Sequence, residues 1–278
     1  MTRVRLPADL STTVERALQE DLGDGDISAQ LIAPDTQAIA HIFCRETAVL
    51  CGTPWADEVI RQLDDQISIY WHAADGDLLG ADQKIASYQG SARSLLSAER
   101  SMLNFLQTLS GTATLSRHYA QQVAHTEVRL LDTRKTIPGL RTAQKYAVLT
   151  GGCFNHRMGL YDAFLIKENH INACGSITAA VTRARTLHPH KPVEVEVENL
   201  EQLQEALDIG ADTIMLDNFA LGLLCEAVAI TAGRAKLEAS GGINTSTLIP
   251  IAETGVDYIS IGALTKNCTA IDLSMLFE

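Results

Sequence analysis

The side chains best suited to chemistry in this sequence stand at the ends of short apolar runs. EVRLLD (127–132) leads into Thr133, Arg134 and Lys135, and DAFLI is followed by Lys167. VEVEVE carries Glu196 late in its run, and TIML ends on Asp217. KLEA reaches Ser240, Gly241 and Gly242, and YISI reaches Gly262 and Ala263. Lysine holds phosphate or carboxylate oxygens as a point charge, and arginine holds them through a planar fork. Glutamate and aspartate accept sugar hydroxyls or bind a hard cation such as magnesium. Glycine lets the backbone approach a ligand closely, and the N–H groups of the following turn can face a phosphate.

His156 and Arg157 stand shortly before the run that bears Lys167. With Arg134 and Lys135 they form a compact basic set in a chain whose formal charge is −12 (22 basic against 34 acidic residues). A body that acidic repels nucleic acid, so an anionic ligand must be held by a local basic pocket. Two arginines suit a dicarboxylate. Lys167 follows Phe164-Leu165-Ile166 and admits more than one reading. It is an anion ligand, an amine able to form a Schiff base, or a side chain snorkelling from a buried strand. The alternation in VEVEVE puts Glu194, Glu196 and Glu198 on one face and the valines on the other.

The elements that position these residues follow from periodicity. Residues 11–22 have Val14, Ala17, Leu18 and Leu22 at helical spacing behind a Ser/Thr cap. The GDGD stretch after it lacks the alternating ligands and closing glutamate of a calcium loop, so it is expected to be a turn. AIAHIF, AVLCG and ISIYWH read as short strands, with a helix over 54–63 between the last two. SARSLLSAERSMLNFLQTLSG reads as a helix, with Leu95, Met102, Leu106 and Leu109 on its apolar stripe and Glu99 and Arg100 off it. Gly111 is expected to stop that helix. Residues 1–111 are thus expected to form an α+β domain.

From there the pattern turns to strand followed by helix. The strand candidates are 127–132, 162–167, 193–198, 213–217, 236–240 and 257–262, with helices at 200–208 and 220–231. Such units make parallel neighbours with right-handed crossovers. Six candidates predict an α/β barrel, closed or partly open, with a doubly wound sheet as the alternative. No Gly-x-Gly-x-x-Gly follows a strand, so the dinucleotide fingerprint is absent. In a barrel the carboxyl ends of the strands share one mouth.

The hydrophobic fraction of 46% and charged fraction of 20% are those of a globular protein. No run approaches the roughly 20 apolar residues of a membrane helix. The amino terminus turns charged at once, which predicts no secretory leader. Six scattered cysteines without a C-x-x-C pair predict free thiols and a cytoplasmic setting.

The segments AERSMLNFLQTLSGTAT, LLDTRKTIPGLR, KYAVLTGGCFNHRMGLYDAFLIKENHI, VEVEVENLEQL, IMLDN, LEASGGI and ISIGALT resemble, in family order, the quinolinate phosphoribosyltransferases. With EDLGDGDIS near the amino terminus, the resemblance covers nearly the whole chain. It implies an amino-terminal α/β sandwich (1–111, with 266–278 packing back on it) and a carboxyl-terminal barrel of parallel strands (112–265), the type II phosphoribosyltransferase architecture. It also implies a homodimer in which Arg100 of one copy enters the other's site.

By the same resemblance, Arg134, Arg157, His156 and Arg100, with Thr133 beside them, bind the carboxylates of quinolinate. Lys135 and Lys167 meet the pyrophosphate of phosphoribosyl pyrophosphate. Glu196 and Asp217 serve the ribose hydroxyls and magnesium, and Ser240–Gly242 with Gly262-Ala263 cradle the 5-phosphate. The implied reaction yields nicotinate mononucleotide, pyrophosphate and carbon dioxide, a step of NAD biosynthesis. Two positions depart from the family pattern. Cys153 replaces a third glycine, and Lys266-Asn267 replaces histidine and serine. A related phosphoribosyltransferase with another acceptor, a Schiff-base aldolase using Lys167, and a non-catalytic binding protein are the competing readings.

Overall fold

The computed structural model describes residues 4–278. Met1–Arg3, where the stretch read as lacking a leader begins, lie outside the described residues. The chain opens with α1 (Leu10–Leu22), β1 (Gln37–Cys44), β2 (Ala48–Val49) and α2 (Thr53–Leu63). Then come β3 (Ser68–Trp71), β4 (Leu78–Leu79), β5 (Gln83–Ser91), α3 (Ala92–Gln122), β6 (Arg129–Leu131) and α4 (Arg141–Gly151). β7 (Phe164–Ile166), α5 (Glu168–Cys174), α6 (Ile177–Leu187), β8 (Val193–Val197), α7 (Leu200–Asp208) and β9 (Thr213–Asp217) follow. The last elements are α8 (Leu221–Thr231), β10 (Lys236–Ser240), α9 (Leu248–Ala252), β11 (Tyr258–Ser260), α10 (Ala263–Lys266) and β12 (Leu273–Phe277).

The chain forms two compact units. The first holds the residues up to His118 together with 136–152 and 264–278, and the second holds 119–135 and 153–263. In the first unit an antiparallel sheet runs β12-β1-β5-β3. Its strands alternate buried and exposed, as in β1, where Ala40, Ile42 and Cys44 face inward. The inward face packs with Val14 and Leu18 of α1, Trp55 and Val59 of α2, and Leu95, Met102 and Leu106 of α3. Each fully buried side chain of the Leu or Met kind contributes about 1.5–3 kcal/mol of transfer free energy. β12 supplies an edge strand by pairing Ala40 with Phe277 and Cys44 with Leu273.

Gly111 does not stop its helix. α3 continues to Gln122, and a Cβ at Gly111 would meet the Thr269 carbonyl oxygen at 2.0 Å. The residue is a glycine because the 269–270 backbone lies against the helix there, a contact that no local pattern reports.

In the second unit six parallel strands run β6-β11-β10-β9-β8-β7. Each of β7 to β10 pairs with the next in sequence, as successive crossovers of one hand require. β6, the first strand of the unit, pairs with β11, the last (Leu131 with Ser260). That pairing of first with last makes a barrel and excludes a doubly wound sheet. The barrel is open between β6 and β7, where Phe154 adds one isolated parallel bridge to Leu131. Two of the covering helices have side-chain caps. Ser176 accepts from the Ala179 N–H at the start of α6, and Asn199 accepts from the Gln202 N–H at the start of α7.

None of the six cysteines forms a disulfide; Cys44, Cys51 and Cys153 are buried, and Cys225 is exposed. Among the described residues no helix is long and apolar enough to cross a membrane.

Candidate active site

The valines of β8 are buried, and its glutamates differ by depth. Glu194 is buried, Glu196 is half-buried and Glu198 is exposed, so the glutamate face runs from the interior of the barrel to its rim. At the rim the Lys167 ammonium donates to Glu196 Oε2. Lys167 directly follows β7, whose Ile166 pairs with Val195 of β8, so the ion pair spans two neighbouring strand ends. The backbone N–H of Lys167 donates to His170 Nδ1 at 3.0 Å, which ties the strand end to the first turn of α5.

The next strand ends meet in the same way. Ser240 pairs with Asp217 across β10 and β9, and the Asn218 N–H donates to the Ser240 carbonyl at 2.9 Å. Asn218 Nδ2 donates to Asp217 Oδ2 at 2.7 Å and orients that carboxylate. Gly241, at φ +93°, lies so close to Asn218 that a Cβ would fall 2.1 Å from its Oδ1. Beyond β11, Gly262 faces the side chains of Lys135 and Thr133, which follow β6. The Lys135 N–H also donates to Thr133 Oγ1 at 3.1 Å. Ala263 opens α10 directly after Gly262.

Arg134 and Arg157 act on one another. Burial first, and then the charge of Arg134, push the Arg157 guanidinium below its ordinary value, with Glu194 and Asp162 opposing. Two neighbouring guanidinium groups suit a multiply charged anion. Arg157 Nη1 is anchored by the Ala163 carbonyl at 3.0 Å. His156 is turned inward, and its Nε2 lies 2.9 Å from Glu194 Oε2 and 3.5 Å from Glu238 Oε2. The His156 backbone N–H donates to Asp132 Oδ1 at 2.9 Å. Among the residues expected at the mouth, those of the second unit therefore gather in small contacting sets around the strand ends. Arg100 belongs to the first unit and is exposed on α3.

Sequence reasoning did not assign Glu194, Glu238, Asp132 or Asn218 to the site. A signal did exist for Glu238, the one acidic residue of β10, set between the apolar Leu237 and Ala239. The set His156, Glu194 and Glu238 is dense, with ligand atoms all within 4.8 Å of one another. A cavity of about 420 Å³ lies elsewhere, within the first unit, between α1, α3 and the Pro138–Leu140 turn. It holds none of the residues named at the strand ends.

Comparison with known proteins agrees with this architecture. Residues 26–110 match the amino-terminal domain model of quinolinate phosphoribosyl transferase, and residues 112–276 match its carboxyl-terminal domain model. The chain is 42% identical over 257 residues to a Bacillus subtilis protein named probable nicotinate-nucleotide pyrophosphorylase (carboxylating), covering 92% of this chain and 89% of the relative. It is 39% identical to the tobacco (Nicotiana tabacum) quinolinate phosphoribosyltransferase (decarboxylating) 2b, covering 97% of this chain and 82% of the relative. The solved structure of the Francisella tularensis nicotinate-nucleotide pyrophosphorylase superposes with a TM-score of 0.95 at 48% identity, covering 99% of this chain and 98% of that one. With both domain models matched in order and a barrel whose rim gathers the expected charges, this chain belongs to the quinolinate phosphoribosyltransferase family.

Proposed function

We propose that this protein transfers the phosphoribosyl group of phosphoribosyl pyrophosphate to quinolinate, with loss of the 2-carboxylate as carbon dioxide. The observation that carries the reading is that Arg157 lies within reach of the Arg134 charge, two guanidinium groups beside the strand ends of a strongly acidic protein. A dicarboxylate neutralises such a pair, whereas a monocarboxylate leaves one guanidinium unmatched.

In this reading Arg134 and Arg157, with Thr133 and His156 beside them, orient the pyridine ring so that its nitrogen faces the ribose C1. Positioning of that kind supplies most of the catalysis, because no covalent nucleophile is required. The bond from C1 to the pyrophosphate oxygen breaks, and Lys135 and Lys167 receive the departing charge. Glu196 and Asp217 stabilise the oxocarbenium-like ribose and accept its hydroxyls. The ring nitrogen then bonds to C1. Carbon dioxide departs and leaves its electron pair on the ring carbon, which takes up a proton. Ser240–Gly242 and Gly262-Ala263 hold the 5-phosphate.

Glu196 and Asp217 end the neighbouring strands β8 and β9, and their all-oxygen donor set fits a hard divalent cation. Magnesium, when bound with the substrate, neutralises charge on the pyrophosphate leaving group. Arg100, exposed on α3, would reach the site of a second copy in a homodimer. The unpaired thiols support a cytoplasmic setting. The Lys167 ammonium is committed to Glu196, which disfavours the Schiff-base alternative, since imine formation needs the neutral amine.

Incubation with quinolinate, phosphoribosyl pyrophosphate and magnesium should release carbon dioxide and nicotinate mononucleotide in equal amounts. Turnover of nicotinate in place of quinolinate would overturn the acceptor assignment. Borohydride trapping of a carbonyl compound on Lys167 would overturn the reaction class.

A further inference from the structure

β8 and β10 each send one acidic side chain into the barrel, and both reach the same imidazole. Glu194 is 8% exposed and Glu238 is 1% exposed. Their nearer oxygens lie 2.9 Å and 3.5 Å from His156 Nε2. The other ring nitrogen, Nδ1, accepts from the backbone N–H of Arg157 at 2.7 Å. A nitrogen that accepts carries no proton, so this contact fits a neutral imidazole whose single proton sits on Nε2.

Two buried carboxyl groups thus face one N–H. Glu194 Oε1 and Glu238 Oε1 have no hydrogen-bond partner, and the further groups that reach the pair are the Ser260 hydroxyl at Glu238 and the Arg157 charge acting on Glu194. Facing Glu238 are Glu194 from β8, His156 from the loop before β7, and the hydroxyl of Ser260 on β11. Its register neighbours Met215 on β9 and Tyr258 on β11 bring no charge. Two adjacent carboxylates at this depth do not both ionise, as in other carboxyl pairs that share a proton. The more buried member keeps the proton. Burial and then the Glu194 charge push the Glu238 carboxyl up to about 8.

We propose that Glu238 is a positioning residue, a neutral carboxylic acid that donates to Glu194 and keeps His156 neutral, so that His156 Nδ1 holds the Arg157 backbone in place for the acceptor. The order of donation is Glu238 O–H to Glu194, His156 Nε2–H to Glu194, and Arg157 N–H to His156 Nδ1. Ionising Glu238 releases its proton to solvent, withdraws the O–H that Glu194 accepts and sets a second negative charge beside the imidazole. Both carboxylates then compete for the one Nε2–H, and the ring is drawn away from the Arg157 N–H that its Nδ1 accepts. The consequence for the acceptor rests on the function proposed above; the proton on Glu238 does not.

Infrared spectroscopy of the substrate-free protein reads that proton directly. A protonated-carboxyl stretch should be present at neutral pH, titrate away near pH 8, and be missing from Glu238→Gln. Its absence from the native protein would overturn the inference whatever reaction the protein runs. Stoichiometric zinc or manganese in the purified protein, lost on Glu238→Gln, would also overturn it by making the cluster a metal site.

Kinetics test the positioning. Glutamine can make the same neutral donation, so Glu238→Gln should keep the KM for quinolinate within about twofold at neutral pH and abolish its rise on the alkaline side. Glu238→Ala should raise that KM about tenfold and leave the KM for phosphoribosyl pyrophosphate unchanged. Equal damage from Gln and Ala, or an alkaline rise that persists in Glu238→Gln, would refute the role. A native protein inert toward quinolinate that still shows the titrating stretch would place the error in the proposed function, and the same variants would then be read on the stretch alone.

Discussion

The Lys167 ammonium rests on the Glu196 carboxylate, joining the ends of β7 and β8 at the barrel rim. Lys167 is almost half exposed while Glu196 is nearly covered, so the pair presents a cation outward over a carboxylate that lies deeper. Removing either member leaves the other uncompensated at a site built for charged reactants. Lys167→Ala and Glu196→Gln should each lower kcat by about 10²–10³-fold. The double variant should lose no more than the worse single one, because the two act as a unit. Additive losses in steady-state kinetics would show that they act independently.

Gly241→Ala places a methyl group 2.1 Å from Asn218 Oδ1 at a φ of +93°. The variant should lose about 1–3 kcal/mol of stability. Its KM for phosphoribosyl pyrophosphate should rise, because the phosphate turn must move. Combining it with Asn218→Ala should recover part of the melting temperature, and a combination no better than Gly241→Ala alone would place the strain in φ and not in the contact.

At Gly111 two effects oppose each other. Alanine gains about 1 kcal/mol of helix propensity in the middle of α3. Its methyl group would meet the Thr269 carbonyl oxygen at 2.0 Å, an overpacking cost of about 1–3 kcal/mol. The net expectation is a lower urea midpoint, since a backbone oxygen cannot swing aside as a flexible side chain can. A midpoint that rises would mean that propensity wins and the packing account is wrong.

Glu238 also sets a sign for stability against pH. Its carboxyl is raised from 4.5 to about 8 in the folded protein. The unfolded chain therefore releases this proton at lower pH and binds fewer protons across that window. Stability from this group falls as pH rises through the window, and the loss is complete above it. Urea midpoints at about pH 5 and about pH 9 should differ less in Glu238→Gln than in the native protein. An unchanged difference would remove Glu238 as the source.

The proposed sharing of sites between two copies makes a mixing experiment decisive. Arg100→Ala and Lys167→Ala should each be nearly inactive. Co-refolded, they should regain about a quarter of native activity, since half the dimers are mixed and each mixed dimer has one intact site. No recovery in mixtures confirmed to be mixed dimers would place Arg100 in the site of its own chain.

Much of this protein is legible in the residue order. Apolar runs that stop at Lys167, Asp217 and Ser240 mark the strand ends, because a strand leaving a buried sheet must change from apolar to polar side chains there. The alternation in VEVEVE fixed which face of β8 carries charge, since successive side chains point to opposite faces of any strand. Arg100 stands off the apolar stripe of its helix for the same kind of local reason.

What only the tertiary structure decided is who stands opposite whom. Ring order sets β6 beside β11, so Gly262 faces Lys135 and Thr133. It also brings Glu238 and Glu194 onto one imidazole. Within the first unit, the packing of 264–278 sets Thr269 against Gly111. Periodicity records the burial of each residue along its own element. The identity of a neighbour across the sheet depends on the closure of the whole chain, which no local pattern carries.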